Sequence, residues 1–190
     1  MRLRLLVFVM LAFGCRGDER RYAGPSALGP FRIDRDTPLR SLFARLGEPA
    51  TTKSSHFCYR SRDSKGFLWI DRMAHEPGQA GDVLLSDFPN CMDRSQQVTS
   101  EDLLTWKADK GVGIGSTEDD VLKAYGKASR QDKIDRRGYR WVIQGDHSAL
   151  EERRERGNRV LVYNVDDDLL AAEFGIRDGK VAWIFLSQNE

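Results

Sequence analysis

The chain reads as an α+β protein built from two tandem repeats, each a short helical segment packed on an antiparallel β-meander. Three observations predict this. One helix motif occurs twice, without a gap, at an offset of 79 residues. Each copy is followed by short apolar or alternating runs bounded by turn residues, the pattern of strands. The last two runs flank Asp178-Gly179, the strongest short-range hairpin signal in the chain. The implied organisation is a signal peptide over 1–14, a lipidated N-terminus and flexible tether over 15–30, a first repeat over 31–110 and a second over 111–190.

The first fifteen residues are an address. Arg2 and Arg4 form a basic n-region, residues 5–13 are uninterruptedly apolar, and Gly14 precedes Cys15. That is the three-part grammar of a secretory signal. A Cys directly after the cleavage point is the bacterial lipoprotein arrangement, so Cys15 is the expected lipidation site. Ala12 and Phe13 stand where the usual lipobox carries Leu and a small residue, and ordinary cleavage at the same point is the alternative. The apolar run is too short to span a bilayer. Residues 16–30 are charged and rich in Gly and Pro, as in a tether. Arg16 follows Cys15 where an Asp would signal inner-membrane retention, which points to the outer membrane, facing the periplasm.

The first helix motif runs from Thr37 and Pro38 through Leu39, Leu42, Phe43 and Leu46 to Gly47. The second runs from Ser116 and Thr117 through Val121, Leu122 and Tyr125 to Gly126. Thr37 or Ser116 is expected to cap the helix start. Pro38 suits the first helical position, and Asp119 is placed to return the capping bond in the second copy. The apolar residues repeat at i, i+3, i+4 and i+7, one face of a helix. Gly47 and Gly126 end the helices in the left-handed conformation.

Strands are expected at His56–Ser61, Phe67–Arg72 and 82–88 after the first helix, and at 139–144, 159–165, 169–177 and 180–187 after the second. A two-residue turn at Asp178-Gly179 pairs Val181 with Ile176, Trp183 with Phe174 and Phe185 with Ala172 on one apolar face. The opposite face, with Ile184 and Leu186, is semi-apolar, so a cover is expected there: the other repeat, a partner or a second copy.

Charge and cysteines constrain the partners. The formal charge of +1 becomes −1 when Arg2 and Arg4 leave with the signal, so neither nucleic acid nor an anionic surface is implied. With Cys15 lipidated, Cys58 and Cys91 remain as one pair, expected to form a disulfide in an oxidising compartment. A loop of about 33 residues closed this way contributes roughly 3–4 kcal/mol in the chain-entropy model.

The capped helices, their Gly-x-Pro and Gly-Lys-x endings, the meanders and the Cys pair together resemble the β-lactamase inhibitory protein fold and the small outer-membrane lipoproteins of the SmpA/OmlA type. The resemblance implies helical segments packed on antiparallel sheet and a concave protein-binding face. The inhibitor has a disulfide in each unit, whereas here only the first copy carries Cys; the lipoproteins have a single unit.

No catalytic or metal motif is read. His56, His75 and His147 fit no ligand spacing. Asp166, Asp167 and Asp168 read as a turn, 151–156 as a self-compensating charged stretch, and the glycines at 111, 113 and 115 as a tight entry to the second helix. No cofactor is implied. The expected function is non-catalytic protein binding in the cell envelope, as an assembly factor or inhibitor-like module. The alternative is a small-ligand carrier or enzyme whose site assembles only in three dimensions. Trp69, Trp106, Trp141, Ile184 and Leu186 are the candidate partner-binding residues, because aromatic anchors dominate binding hot spots; Trp183 is expected to be core.

Overall fold

A computed structural model describes residues 24–33, 35–90, 96–133, 159–164 and 170–188. The signal segment, Cys15, Cys91, Trp141, His147, residues 151–156 and the Asp166–168 turn lie outside the described residues. The strand expected at 139–144 also lies outside them.

The elements follow the order β1 (Ala27–Leu28), β2 (Phe31–Arg32), α1 (Leu39–Leu46), β3 (His56–Ser61), β4 (Phe67–Arg72), β5 (Ala80–Ser86), β6 (Gln97–Thr99), a 3₁₀ turn (Leu103–Thr105), α2 (Glu118–Tyr125), β7 (Arg130–Lys133), β8 (Arg159–Asn164), β9 (Leu170–Arg177) and β10 (Lys180–Gln188). β1 and β2 form a small hairpin, and the other eight strands form one sheet in the order β6-β3-β4-β5-β10-β9-β8-β7. Every neighbour in that sheet is antiparallel except β6, which runs parallel to β3.

This corrects the expected architecture of two α+β units with separate meanders. Among the described residues, strands dominate, most of them in one mixed sheet that carries two short helices. The junction is β5 against β10, in register from Trp183↔Ser86 to Ser187↔Asp82. Each would have been the edge of its own meander, and an unpaired edge leaves a row of backbone groups unsatisfied. Both strands are buried almost throughout, so neither sequence is suited to an exposed edge.

An eight-residue helix is marginal alone and holds its shape by packing. Leu39, Leu42, Phe43 and Leu46 of α1 are all buried, as are Val121 and Tyr125 of α2. They pack with the hairpin side chains Leu28, Phe31 and Ile33 onto one sheet face, against Leu68, Ile70, Leu85, Phe174, Ile184 and Leu186. The intervening residues of the same strands, among them Trp69, Leu84, Val160, Val162, Trp183 and Phe185, form a second cluster on the opposite face.

The two helix ends are fastened alike. Gly47 and Gly126 take positive φ of 101° and 76°, but their ψ of 147° and −160° is extended rather than the left-handed helical value expected. The Tyr59 hydroxyl donates to the Gly47 carbonyl at 2.9 Å, and the Tyr163 hydroxyl donates to the Gly126 carbonyl at 3.0 Å. Each satisfies a carbonyl that the helix itself cannot.

The Asp178-Gly179 turn has positive φ at both residues, 53° and 74°, as a type I′ hairpin requires. The register beyond it differs from expectation. A bulge between Val181 and Trp183 sets Trp183 opposite Gly175, Ile184 opposite Phe174 and Leu186 opposite Ala172. One extra residue exchanges the faces. Trp183 therefore leaves Phe174 and lies across Gly175, where a Cβ would come within 1.9 Å of its ring nitrogen.

Candidate binding site

The candidate residues fall in three places and do not converge. Trp69, on β4, is 6% exposed in the second cluster, with His56 stacked beside it at 6.5 Å between ring centres. Trp106 follows the 3₁₀ turn and is 3% exposed. Its indole N–H donates to Glu101 at 3.3 Å, and Arg45 of α1 lies over its ring at 5.6 Å while bridging Glu101 at 3.0 Å. Hydrogen bonding to Arg45 holds the Glu101 carboxyl below its ordinary range. A Cβ on Gly29 would come within 2.6 Å of the Trp106 ring, so Trp106 is a wedge between the hairpin and the helix layer. Ile184 and Leu186 are 0% exposed in the main core; the bulge puts them there instead of on an outer face. Trp183 is fully buried and its ring N–H has no hydrogen-bond partner. Cys58 is 8% exposed on β3 and is disulfide-bonded; because Cys91 lies outside the described residues, its identity as the partner is a proposal.

What the sequence did not signal is a cleft of about 520 Å³ at the start of α1. Its floor is Leu39 and Phe43, and its walls carry Arg40, Glu48, Arg72 and Gln79, with Gly78 on the rim. Four segments build it, one of them the loop after α1 that carries Glu48 and Thr52. The end of β4 brings Arg72, whose amide donates to Ser55 O at 2.8 Å. The turn 76–79 closes on itself through Gln79 N to Glu76 O at 2.8 Å and then meets the helix, with Leu39 N donating to Gly78 O at 2.9 Å. The helix supplies Arg40, which is exposed.

The Arg72 guanidinium is held from two sides. Its Nη2 donates to the Thr52 carbonyl, and it lies over the Phe57 ring at 5.5 Å. Its Nε is nevertheless buried with no hydrogen-bond partner, and so is Oε1 of Gln79. Each unmatched buried group costs on the order of 1–3 kcal/mol. Both residues line the cleft while these two atoms are closed to solvent, so a bound group relieves the deficit only where the guanidinium and amide turn towards it.

The helix start adds to the positive character. Thr37 does not cap α1 as expected: its hydroxyl turns back to Arg32, accepting from the amide at 2.9 Å and donating to the carbonyl at 3.2 Å. The cap position is Pro38, which has no side-chain acceptor, and the first turn contains no acidic residue. The Gly78 carbonyl answers the Leu39 amide, but no side-chain acceptor or acidic residue offsets the partial positive charge of the helix start. At α2 the cap is Thr117 and the answering residue is Asp120, each one position beyond the Ser116 and Asp119 expected.

Among the described residues, no three His, Cys, Asp or Glu side chains gather as a metal site. The raised tyrosine pKa values have structural causes. Burial, then the nearby Glu118 charge, pushes Tyr163 up to about 12. Burial and Glu48 raise Tyr59, and burial and a hydrogen bond to Asp109 raise Tyr125. Burial raises Asp71 as well, with the Arg72 backbone N–H and then His56 acting against it. None of the described helices is long and apolar enough to cross a membrane.

The chain matches no protein family model and no curated protein. Among solved structures it matches a DUF4309 family protein, YjgB, from Bacillus subtilis subsp. subtilis str. 168, with a TM-score of 0.40 and 11% identity over 80% of this chain and 79% of that one.

Proposed function

We propose that this is an exported lipoprotein, anchored through Cys15 in the outer membrane and facing the periplasm, that works as a non-catalytic protein-binding module. The signal segment and Cys15 support the address. The observation that carries the binding reading is the cleft at the α1 start, where two arginines and two unmatched buried polar atoms line an apolar floor. A concave apolar site with a few orienting polar groups is what recognition uses. The described tryptophans are less suited, since Trp69, Trp106 and Trp183 are all at least nine-tenths buried within the chain.

Affinity capture from detergent-solubilised envelope tests this, with wild type beside Gly78→Leu. Gly78 lines the cleft and has open space around its Cβ position and no positive φ, so a larger side chain there adds bulk at the cleft without straining the fold. A protein partner captured by wild type and lost with Gly78→Leu supports the reading. No reproducible partner from native envelope argues against it.

A further inference from the structure

We infer that the α1 cleft is a carboxylate subsite that takes the C-terminal residue of a partner polypeptide, its side chain on the Leu39–Phe43 floor and its carboxylate between Arg40 and Arg72. This rests on the binding reading above and names what that site recognises.

The argument begins with charge. Arg40 and Arg72 face one countercharge, Glu48, so the cleft carries a single net positive charge and matches a monoanion better than a phosphate dianion. It continues with unmet hydrogen bonds. Arg72 rests against Thr52 and Phe57 and keeps an unmatched Nε that a turn of the guanidinium would present, and a carboxylate is the acceptor whose planar geometry a guanidinium fits best. Gln79, whose Oε1 is also unmatched, can serve an adjoining amide N–H, which a polypeptide end supplies and a free anion lacks. The floor argues for an attached apolar group, since Leu39 and Phe43 offer an ion nothing. The volume of about 520 Å³ is in the range of small-ligand sites.

The test uses the mature chain and N-acetyl-leucine as the probe, followed through the backbone amide signals of Arg40 and Gly78. N-acetyl-leucine is expected to shift both saturably. N-acetyl-leucinamide and inorganic phosphate should bind about tenfold more weakly or less, the loss of one charge-assisted contact or of the floor. Arg40→Glu, at an exposed position, should weaken N-acetyl-leucine by about tenfold or more, Glu48→Gln should strengthen it, and Gly78→Leu should abolish it. Equal binding of the amide, equal binding of phosphate, binding that survives Gly78→Leu, or no shift overturns the inference. If N-acetyl-leucine binds as described but native envelope yields no partner, the subsite stands and the protein-binding reading falls. If a captured partner survives Gly78→Leu, that partner binds elsewhere and this inference falls.

Discussion

The two helices are equal in length and occupy matching places in the 79-residue repeat, yet they are secured by different means. α1 buries all four residues of its apolar stripe and leaves its start uncapped. α2 buries only Val121 and Tyr125, and closes its start with a capping box and three acidic residues, Glu118, Asp119 and Asp120. The difference traces to single positions: Pro38 stands where α2 has Thr117, and Ser41 where it has Asp120. At their C-terminal ends the helices are alike, each with a glycine whose carbonyl receives a strand tyrosine. Helix attachment is therefore shared, and what distinguishes the halves is whether the helix start satisfies itself. Both starts adjoin a cleft: the one at α1 carries Arg40, Arg72 and Glu48, and the one at α2, of about 550 Å³, carries Lys110, Lys123 and Asp120.

The largest effect that can break this comparison is in packing. Leu42→Ala in α1, at 1% exposure, should cost about 2–5 kcal/mol, the range for emptying a closed core site. Leu122→Ala, in the stripe of α2 at the position matching Phe43, is only partly buried and should cost less than half as much. Urea midpoints of the two variants check this, and equal losses would show that α2 depends on its stripe as α1 does.

Next come the shared fastenings. Tyr59→Phe and Tyr163→Phe each remove one hydrogen bond to a helix-end carbonyl and should each cost about 1 kcal/mol. Unequal losses would mean that the two ends are alike only in geometry.

Thr117→Ala should cost about 1 kcal/mol, as loss of a cap does, and the same denaturation experiment measures it.

A further effect is alkaline. The fold favours the neutral Tyr163 phenol and raises its pKa to about 12. This contribution is complete below the unfolded tyrosine value of about 10 and is lost as pH rises through about 12. Tyr163→Phe should flatten that part of the stability–pH profile. Tyr59, raised further, should lose its share at higher pH.

Much of this was legible locally. The stripes of both helices, their glycine ends, β3, β4 and the Asp178-Gly179 turn follow from spacings of a few residues. The cap at α2 was misplaced by one residue because Ser116 and Thr117 are chemically equivalent candidates, and only backbone geometry selects Thr117. The single sheet was not legible, because the β5–β10 junction joins residues about a hundred positions apart, and periodicity within a strand does not name its neighbour. The bulge at Val181/Trp183 was hidden for a related reason: both faces of β10 are apolar, so a slip that moves Trp183 to one face and Ile184 to the other leaves no mark in the pattern. The cleft was invisible because Arg72 and Gln79 meet α1 only through the register of β4 with β5 and the turn between them. The turn's Pro77-Gly78 was the available signal, but it says nothing of what the turn faces.

The central claim, that the cleft beside the start of α1 is what receives an anion, is tested most directly by giving α1 the charge that α2 has. Ser41 is exposed at the position matching Asp120, and Ser41→Asp should stabilise the helix by about 0.3–1 kcal/mol while supplying its own carboxylate. Titrating wild type and Ser41→Asp with N-acetyl-leucine, read at the Arg40 and Gly78 amides, is the deciding measurement. The account predicts a more stable protein in which binding is weakened about tenfold or more. A Ser41→Asp protein that is folded, more stable and binds the probe as tightly as wild type would contradict it.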